Sequence, residues 1–351
     1  MPGSAVVHAA VFTAGALLGG GIAAAVTSRK NQQVSALPTR PVPVPVPATP
    51  QPTAPVVHVG RTGAPAITES QELAVLKYGN PGPVSDLIQR KAYVAAYDRR
   101  LKHPAWTAEH LTLASLGKSR IVSSEEGSGG GGDRSNSTFK EDDSLPAMFR
   151  SKLSDYFRSG YDRGHMVPAA DAKISQEAMD ETFYLSNIAP QVGDGFNRHY
   201  WAYLEDWCRR LTGNFQDVYV FTVPLYLPKK EVDGKWRVSY EVIGNPPNVA
   251  VPTHFAKVVL TSKPSSPLTP EKLEVSTGAF VLPNAVIPDD APLTSFVVPV
   301  DAVERAAGLT LFSDEVKAGS KHICQTAKCE VIVRRFDDAR KNAKRIAAPK
   351  S

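Results

Sequence analysis

Across 351 residues the chain carries a formal net charge of +5, 29 prolines and three cysteines. That length admits one large domain or two small ones, and three cysteines exclude a disulfide framework. The charge sits at the ends: residues 1–70 carry +3 and residues 334–350 carry +5, leaving 71–333 at −3. A basic tail can steer a protein toward phosphate, but a mildly acidic body excludes a broad basic face, so any nucleic-acid reading must come from a site.

Ala5 to Val26 is uncharged and built almost wholly from Ala, Val, Leu, Ile and Gly, with Arg29 and Lys30 directly after it. Roughly 22 helical residues span the ~30 Å hydrocarbon layer. No cationic segment precedes Ala5, as a secretory signal requires, and no arginine occurs before Arg29, as an amphipathic transit peptide requires. Residues 1–30 therefore read as a membrane anchor or a targeting segment, with an uncleaved anchor preferred. Residues 31–68 hold the run Pro41-Val42-Pro43-Val44-Pro45-Val46-Pro47, which favours an extended polyproline spacer that holds the next domain off a membrane.

The folded body is expected over 69–335, with 336–351 a basic tail. Gln71 to Lys77 reads as a short helix and Tyr93 to Tyr97 as a strand. Trp106 to Leu113 reads as a strand or short helix. Ser123 to Gly132 reads as a glycine-rich surface loop, not a phosphate cradle, because no Lys-Ser/Thr follows it. Phe183 to Ser186 is strand-like, and Val218 to Thr222 has the composition of a buried strand. Trp236 to Val242 alternates apolar and polar; Thr253 to Thr261 and Ala279 to Leu282 add two more strands. Val300 to Gly308 reads as a helix closed by Gly308. The expected class is α+β with several antiparallel strands. Cys324 and Cys329 could pair in an oxidising compartment, but buried or free thiols are the expectation.

The chemistry concentrates between Tyr161 and Arg210. Hydrolysing a phosphodiester takes a base for water, a cation for the developing charge, and help for the leaving oxygen. His165 follows a glycine at a strand end, and a neutral imidazole suits the base; a core histidine bonded to a backbone carbonyl is the competing reading. Asn197 stands where a helix begins, since Tyr200, Tyr203, Leu204, Trp207, Cys208 and Leu211 follow at helical spacing. It reads as an N-cap or as a hard oxygen ligand. Magnesium keeps several waters, so one Asn is chemically sufficient.

Glu205 lies eight residues on, about 12 Å along a helix and roughly 80° around it, which favours holding a water of the ion's shell over direct ligation. A solvated carboxylate beside Arg209 has the same spacing. Asn187 could orient the site by bonding His165 or the loop of Asn197, or be a turn asparagine. Arg163 could grip a phosphate oxygen, or pair with Asp162 or Asp171.

Asp162-Arg163-Gly164-His165, Ser186-Asn187-Ile188-Ala189-Pro190-Gln191, and Asn197 with Trp201-Ala202-Tyr203-Leu204-Glu205 resemble the DNA/RNA non-specific endonucleases with a ββα-metal site. The type is that of mitochondrial endonuclease G and its fungal counterparts. Tyr240 to Gly244 and Val251 to Phe255 extend the resemblance over most of residues 90–335. It implies a ββα-metal nuclease fold with a central, mostly antiparallel sheet flanked by helices, cutting DNA and RNA with Mg²⁺ or Mn²⁺. It places His165 as general base, Asn197 as the direct protein ligand of the metal, and Glu205 on a water of the ion. Arg163 and Asn187 support the site, and Arg134 matches an upstream arginine on the scissile phosphate. Val223 departs from the family's usual glycine, so strand geometry there is expected to differ.

The resemblance further implies a homodimer at the mitochondrial inner membrane, facing the intermembrane space, with possible nuclear relocation. Two rival readings stand beside it. One is a membrane-tethered nucleic-acid-binding protein that keeps the fold without cutting. The other, a serine hydrolase using Ser186 and His165, lacks the Gly-x-Ser-x-Gly elbow.

Overall fold

A computed structural model describes residues 82–118 and 131–333. The anchor, the proline spacer, the Gln71–Lys77 helix, most of the glycine-rich loop and the basic tail lie outside the described residues. Strand-forming runs at Ser85–Gln89 (β1), Tyr93–Asp98 (β2), His103–Leu111 (β3), Asp217–Leu225 (β6), His254–Ser266 (β7), Thr269–Pro283 (β8), Val297–Val298 (β9) and Lys321–His322 (β10) make one sheet. The order is β1-β2-β3-β6-β7-β8-β9, all antiparallel, with β10 parallel to β8.

Central strands read as near-continuous apolar runs because both faces are covered. Along β7, alternate side chains leave for opposite layers. Phe255 and Val259 join Trp201, Trp207 and Phe280 on one face. Ala256 and Val258 join Val303 and Phe312 on the other. The first layer is capped by a helix at Trp201–Leu211 (α3), the second by one at Val300–Ala307 (α4), which ends at Gly308 in the left-handed conformation, φ 69°. Two shorter helical pieces, Leu153–Tyr156 (α1) and Gln176–Glu181 (α2), flank the region described next.

A separate two-stranded ladder pairs Asp162–His165 (β4) with Ile188–Gln191 (β5), His165 opposite Ile188. With α3 following, this is the ββα unit, and the chain has the ββα-metal nuclease fold with a mostly antiparallel central sheet. Asn284 ties the unit to the sheet: its Oδ1 accepts from the Val192 amide, and its Nδ2 donates to the carbonyls of Pro190 and Pro252.

Four sequence expectations are corrected. Phe183 to Ser186 is not a strand; a 3₁₀ turn at Leu185–Asn187 leads into β5. Trp236 to Val242 does not form one strand. Trp236–Arg237 and Val242–Ile243 each join a two-residue ladder, and Trp236, Val238, Tyr240 and Val242 are exposed, so the alternation has no layer to bury into. Val223 does not disturb its strand: it pairs with Ala256 in unbroken register and is fully buried. Cys324 and Cys329 are disulfide-bonded, their Cα atoms 5.2 Å apart, within the range a disulfide bridges. Cys208 alone is free, and burial pushes its thiol up to about 12.

Trp207 packs edge-on against Phe280 and donates its indole N–H to the Lys328 carbonyl at 2.9 Å, beside that disulfide. Emptying this position leaves a large cavity between α3 and the sheet. Trp207→Ala is expected to lower unfolding free energy by about 3–5 kcal/mol, read as a shifted urea midpoint.

Candidate active site

Gly164 comes first, because the strand pairing leaves no room for a side chain there. A Cβ would sit 2.0 Å from the Gln191 amide oxygen. With that close approach β4 ends on His165, whose ring lies between two phenylalanines, 4.7 Å from Phe183 and 5.3 Å from Phe139. The same two rings carry the arginines: Arg163 lies 4.4 Å over Phe139 and Arg134 lies 5.7 Å over Phe183. The imidazole is thus flanked by two cation–π pairs. It is buried, its Nε2 has no hydrogen-bond partner, and desolvation, followed by the two arginines, lowers its pKa to about 3. A core histidine satisfied by a carbonyl through Nε2 is excluded. Arg163 pairs with neither Asp162 nor Asp171, which serve Arg198 and Arg209.

Asn187 is fully buried and bonds neither the His165 ring nor the Asn197 loop. Its Oδ1 accepts from the Val167 amide at 3.0 Å, and its Nδ2 donates to the carbonyls of Val167 and Thr182. Its own carbonyl accepts from the Met166 amide. It therefore clamps the two residues that follow His165.

Asn197 is not an N-cap. It lies within a wide turn, Gly193–Tyr200, where its amide donates to Val192 and the Trp201 amide donates to Phe196, each five residues back. Such turns recur at functional sites, and straight-helix arithmetic from Asn197 to Glu205 does not apply across one. The Asn197 Nδ2 donates to Asp162 Oδ2 at 2.9 Å. Because a carboxylate only accepts, this bond fixes which end of the amide faces it, and Oδ1 is turned to the other side. Asp162 is itself gripped by both Nε and Nη2 of Arg198. Against the upward push of burial, the bonds from Arg198 and Asn197 hold its carboxyl below the usual range.

Glu205 is half-buried on α3. Desolvation raises its carboxyl to about 7, against the pull of Lys257 and Arg209, with Arg134 close enough to contribute. It is not a freely solvated helix carboxylate. Ser186 donates to Asp142, a carboxylate that also pairs with Arg90, so the serine-hydrolase arrangement is absent.

Of the six sequence candidates, Arg163, Asn187 and Glu205 connect to His165 or Arg134 through the contacts above, and Asn197 enters through Asp162 on the same strand as His165. Sequence reasoning missed Phe139 and Phe183 as the imidazole's walls and Asp162 as the Asn197 partner. It also missed a buried charged group beneath the site. Lys257 on β7 donates to Thr222 Oγ1 at 2.8 Å and to the Met166 carbonyl at 3.3 Å, and lies 5.1 Å over the Trp201 ring. Glu109 on β3 is 3.9 Å away, and burial, then Asp171, push its carboxyl well above the usual value. The available signal was a lysine inside the otherwise apolar run from Phe255 to Leu260.

No group of three or more His, Cys, Asp or Glu side chains could hold a metal among the described residues. One oriented carboxamide oxygen suits a hydrated hard ion, which takes few protein oxygens and keeps water and substrate at its other positions.

A protein-family model described as DNA/RNA non-specific endonuclease matches residues 71–318. The mitochondrial nuclease of Saccharomyces cerevisiae is 49% identical over 279 residues, 78% of this chain and 81% of the relative. Endonuclease G, mitochondrial, of Homo sapiens is 44% identical over 246 residues, 70% and 75% respectively. A crystal structure of an EndoG/EndoGI complex aligns with a TM-score of 0.58 at 45% identity, covering 69% of this chain and 92% of that one. The chain belongs to the DNA/RNA non-specific endonucleases, of the endonuclease G type, and as such is a phosphodiester hydrolase.

Two measurements check the geometry. Asn187→Ala leaves several buried backbone groups unsatisfied at about 1–3 kcal/mol each, and is expected to lower stability on the order of 3 kcal/mol in urea unfolding. For His165 the folded pKa of about 3 lies below the ordinary 6.5. Between these values the unfolded chain binds a proton that the native state refuses, so stability falls as pH drops through that window. Glu205 acts oppositely between 4.5 and about 7, where the native state holds the extra proton and stability falls as pH rises. In EDTA, His165→Asn is expected to flatten the acid-side loss, and Glu205→Gln the loss toward neutrality, in urea midpoints measured from pH 4 to 8.

Proposed function

We propose that the protein is a Mg²⁺- or Mn²⁺-dependent, sugar-non-specific endonuclease that hydrolyses DNA and RNA with His165 as general base at a single-metal site. The observation that carries this reading is the unpartnered Nε2 of His165, enclosed by Phe139 and Phe183 and flanked by Arg134 and Arg163.

When bound, the divalent ion supplies a positive charge that offsets charge growing on the phosphate. Asn197 would hold it through Oδ1, with Glu205 accepting hydrogen bonds from a water in its shell. His165 accepts a proton from the attacking water. Arg134 and Arg163 hold the non-bridging oxygens, and Asn187 fixes the backbone beyond the base.

An imidazole near pKa 3 is a weak base in the free protein. Two cationic neighbours contribute to that depression, and a phosphodiester between them cancels part of it, so substrate raises the basicity of the group that attacks it. The set consists of groups that meet phosphate and water, which position a strand without reading it.

The relatives from S. cerevisiae, Schizosaccharomyces pombe and H. sapiens are named as mitochondrial, which supports a mitochondrial location here. Within the proposal, residues 1–30 anchor the chain at the inner membrane, 31–68 space the 69–335 nuclease domain into the intermembrane space, and 336–351 assist substrate capture. Homodimerisation and nuclear relocation complete it. The tethered binder that does not cut is disfavoured by membership of a nuclease family.

Purified protein is expected to nick supercoiled plasmid and degrade RNA with Mg²⁺ or Mn²⁺, and to stop on adding EDTA. His165→Ala is expected to lose about 10²–10⁴-fold in kcat. Cleavage by His165→Ala at the parent rate, or undiminished cutting in EDTA, would sink the mechanism.

A further inference from the structure

Beside the phosphate-handling residues lies a cavity of about 310 Å³, lined by α1 and the segment that leads from it into β4. Asp162 and Arg163 form one end, and Phe157, Arg158 and Tyr161 form much of the rest. We propose that this cavity is a subsite for a nucleobase, which stacks on Phe157 and Arg158 while the adjoining phosphate engages Arg163. The proposal rests on the nuclease reading of the site and deepens it.

Continuity with the site is the first argument. Asp162 orients the Asn197 amide, and Arg163 lies over the ring that walls His165. A strand whose phosphate meets Arg163 must set one flanking nucleoside against its neighbours. The second argument is surface chemistry. Phe157 is 72% exposed, an unusual state for a large aromatic. The Arg158 guanidinium lies 5.0 Å over that ring. An exposed aromatic face and a planar guanidinium are the two side-chain surfaces on which unpaired bases stack.

Backbone conformation is the third argument. Arg158 has φ 55°, a left-handed geometry that non-glycine residues rarely adopt. Strain of this kind persists where the surroundings impose it and clusters at ligand clamps. Here it holds the Arg158 guanidinium beside the Phe157 ring.

Charge is the fourth. Arg158 and Arg163 border the cavity, and Asp162, the carboxylate in its lining, is engaged by Arg198 and Asn197. The rim is therefore cationic within a body of net negative charge, which suits a polyanionic strand. Stacking tolerates any base, because every base has a π-face, so such a subsite strengthens binding without imposing sequence. It favours nucleotides already unstacked from a duplex.

The test uses tetranucleotides with one central phosphodiester and methylphosphonates elsewhere, so that a single bond can be cut. Companion substrates replace the nucleoside on either side of that bond by an abasic residue. Phe157→Ala is expected to raise KM about tenfold on the fully based substrate with little change in kcat; Phe157→Tyr restores the parent value and Phe157→Leu does not. Removing one of the two flanking bases should cost the parent a similar factor and cost Phe157→Ala nothing further, the coupling expected of a direct contact. Arg158→Gly, which relieves the strained φ, should raise KM without lowering the urea midpoint.

Equal KM for Phe157→Ala and parent, or abasic penalties identical in both, overturns the subsite. A Phe157→Ala protein that changes oligomeric state by light scattering at unchanged KM assigns the face to a second copy of the chain and also overturns it. If the parent cuts neither tetranucleotide nor plasmid, the nuclease reading itself fails, and the subsite with it.

Discussion

The site hangs from one buried lysine. Lys257 is 1% exposed, and a charge in such a place is tolerated only where polar groups surround it. Here they come from different parts of the fold: Thr222 from the neighbouring strand, the Met166 carbonyl from the residue after His165, and the Trp201 ring from the first turn of α3. The cost of burying the lysine therefore falls due unless β4 and α3 dock on the sheet in this relation. Glu109 and Asp171 extend the group, and Asp171 pairs with Arg209 four residues after Glu205. A polar network of this kind specifies one arrangement more sharply than apolar packing alone.

Above that foundation the electrostatics are divided. Burial, then Arg134 and Arg163, opposes protonation of His165, while burial opposes ionisation of Glu205. In the free protein His165 is therefore held neutral, while the Glu205 carboxyl stands near its midpoint at neutral pH. Under the proposed mechanism, a bound phosphate would change the first by neutralising the arginines, and a bound cation would change the second by favouring the carboxylate.

Much of this was legible in the residues. Val218 to Thr222 and Thr253 to Thr261 announce central strands because two covered faces demand an unbroken apolar run, and Gly308 marks a helix end because a left-handed residue is needed there. The site motif was legible for a related reason: Gly164, His165, Asn187 and Asn197 are each held by short-range geometry around β4 and β5. What stayed hidden depends on distant pairing. Glu109, Thr222 and Lys257 share one face only after β3, β6 and β7 align in register; Lys257 in its apolar run is the one local sign of the group, and it does not say which partners the pairing brings. Trp236 to Val242 misled for the converse reason: its alternation is real, but no second layer arrives to cover it.

Asn197 shows how a local rule can identify a position and still misjudge its role. An asparagine ahead of an amphipathic run is ordinarily a cap, its side chain spent on the helix's own amides. In this chain the turn is widened, so that amide donors at Asn197 and Trp201 are satisfied by carbonyls five residues back. The side chain is thereby released from capping, and Asp162 takes its amide end. The widened turn leaves the carboxamide oxygen turned away from Asp162 and unspent on the helix's own amides. A regular helix start with Asn197 as its cap would spend that oxygen on the helix's own amides.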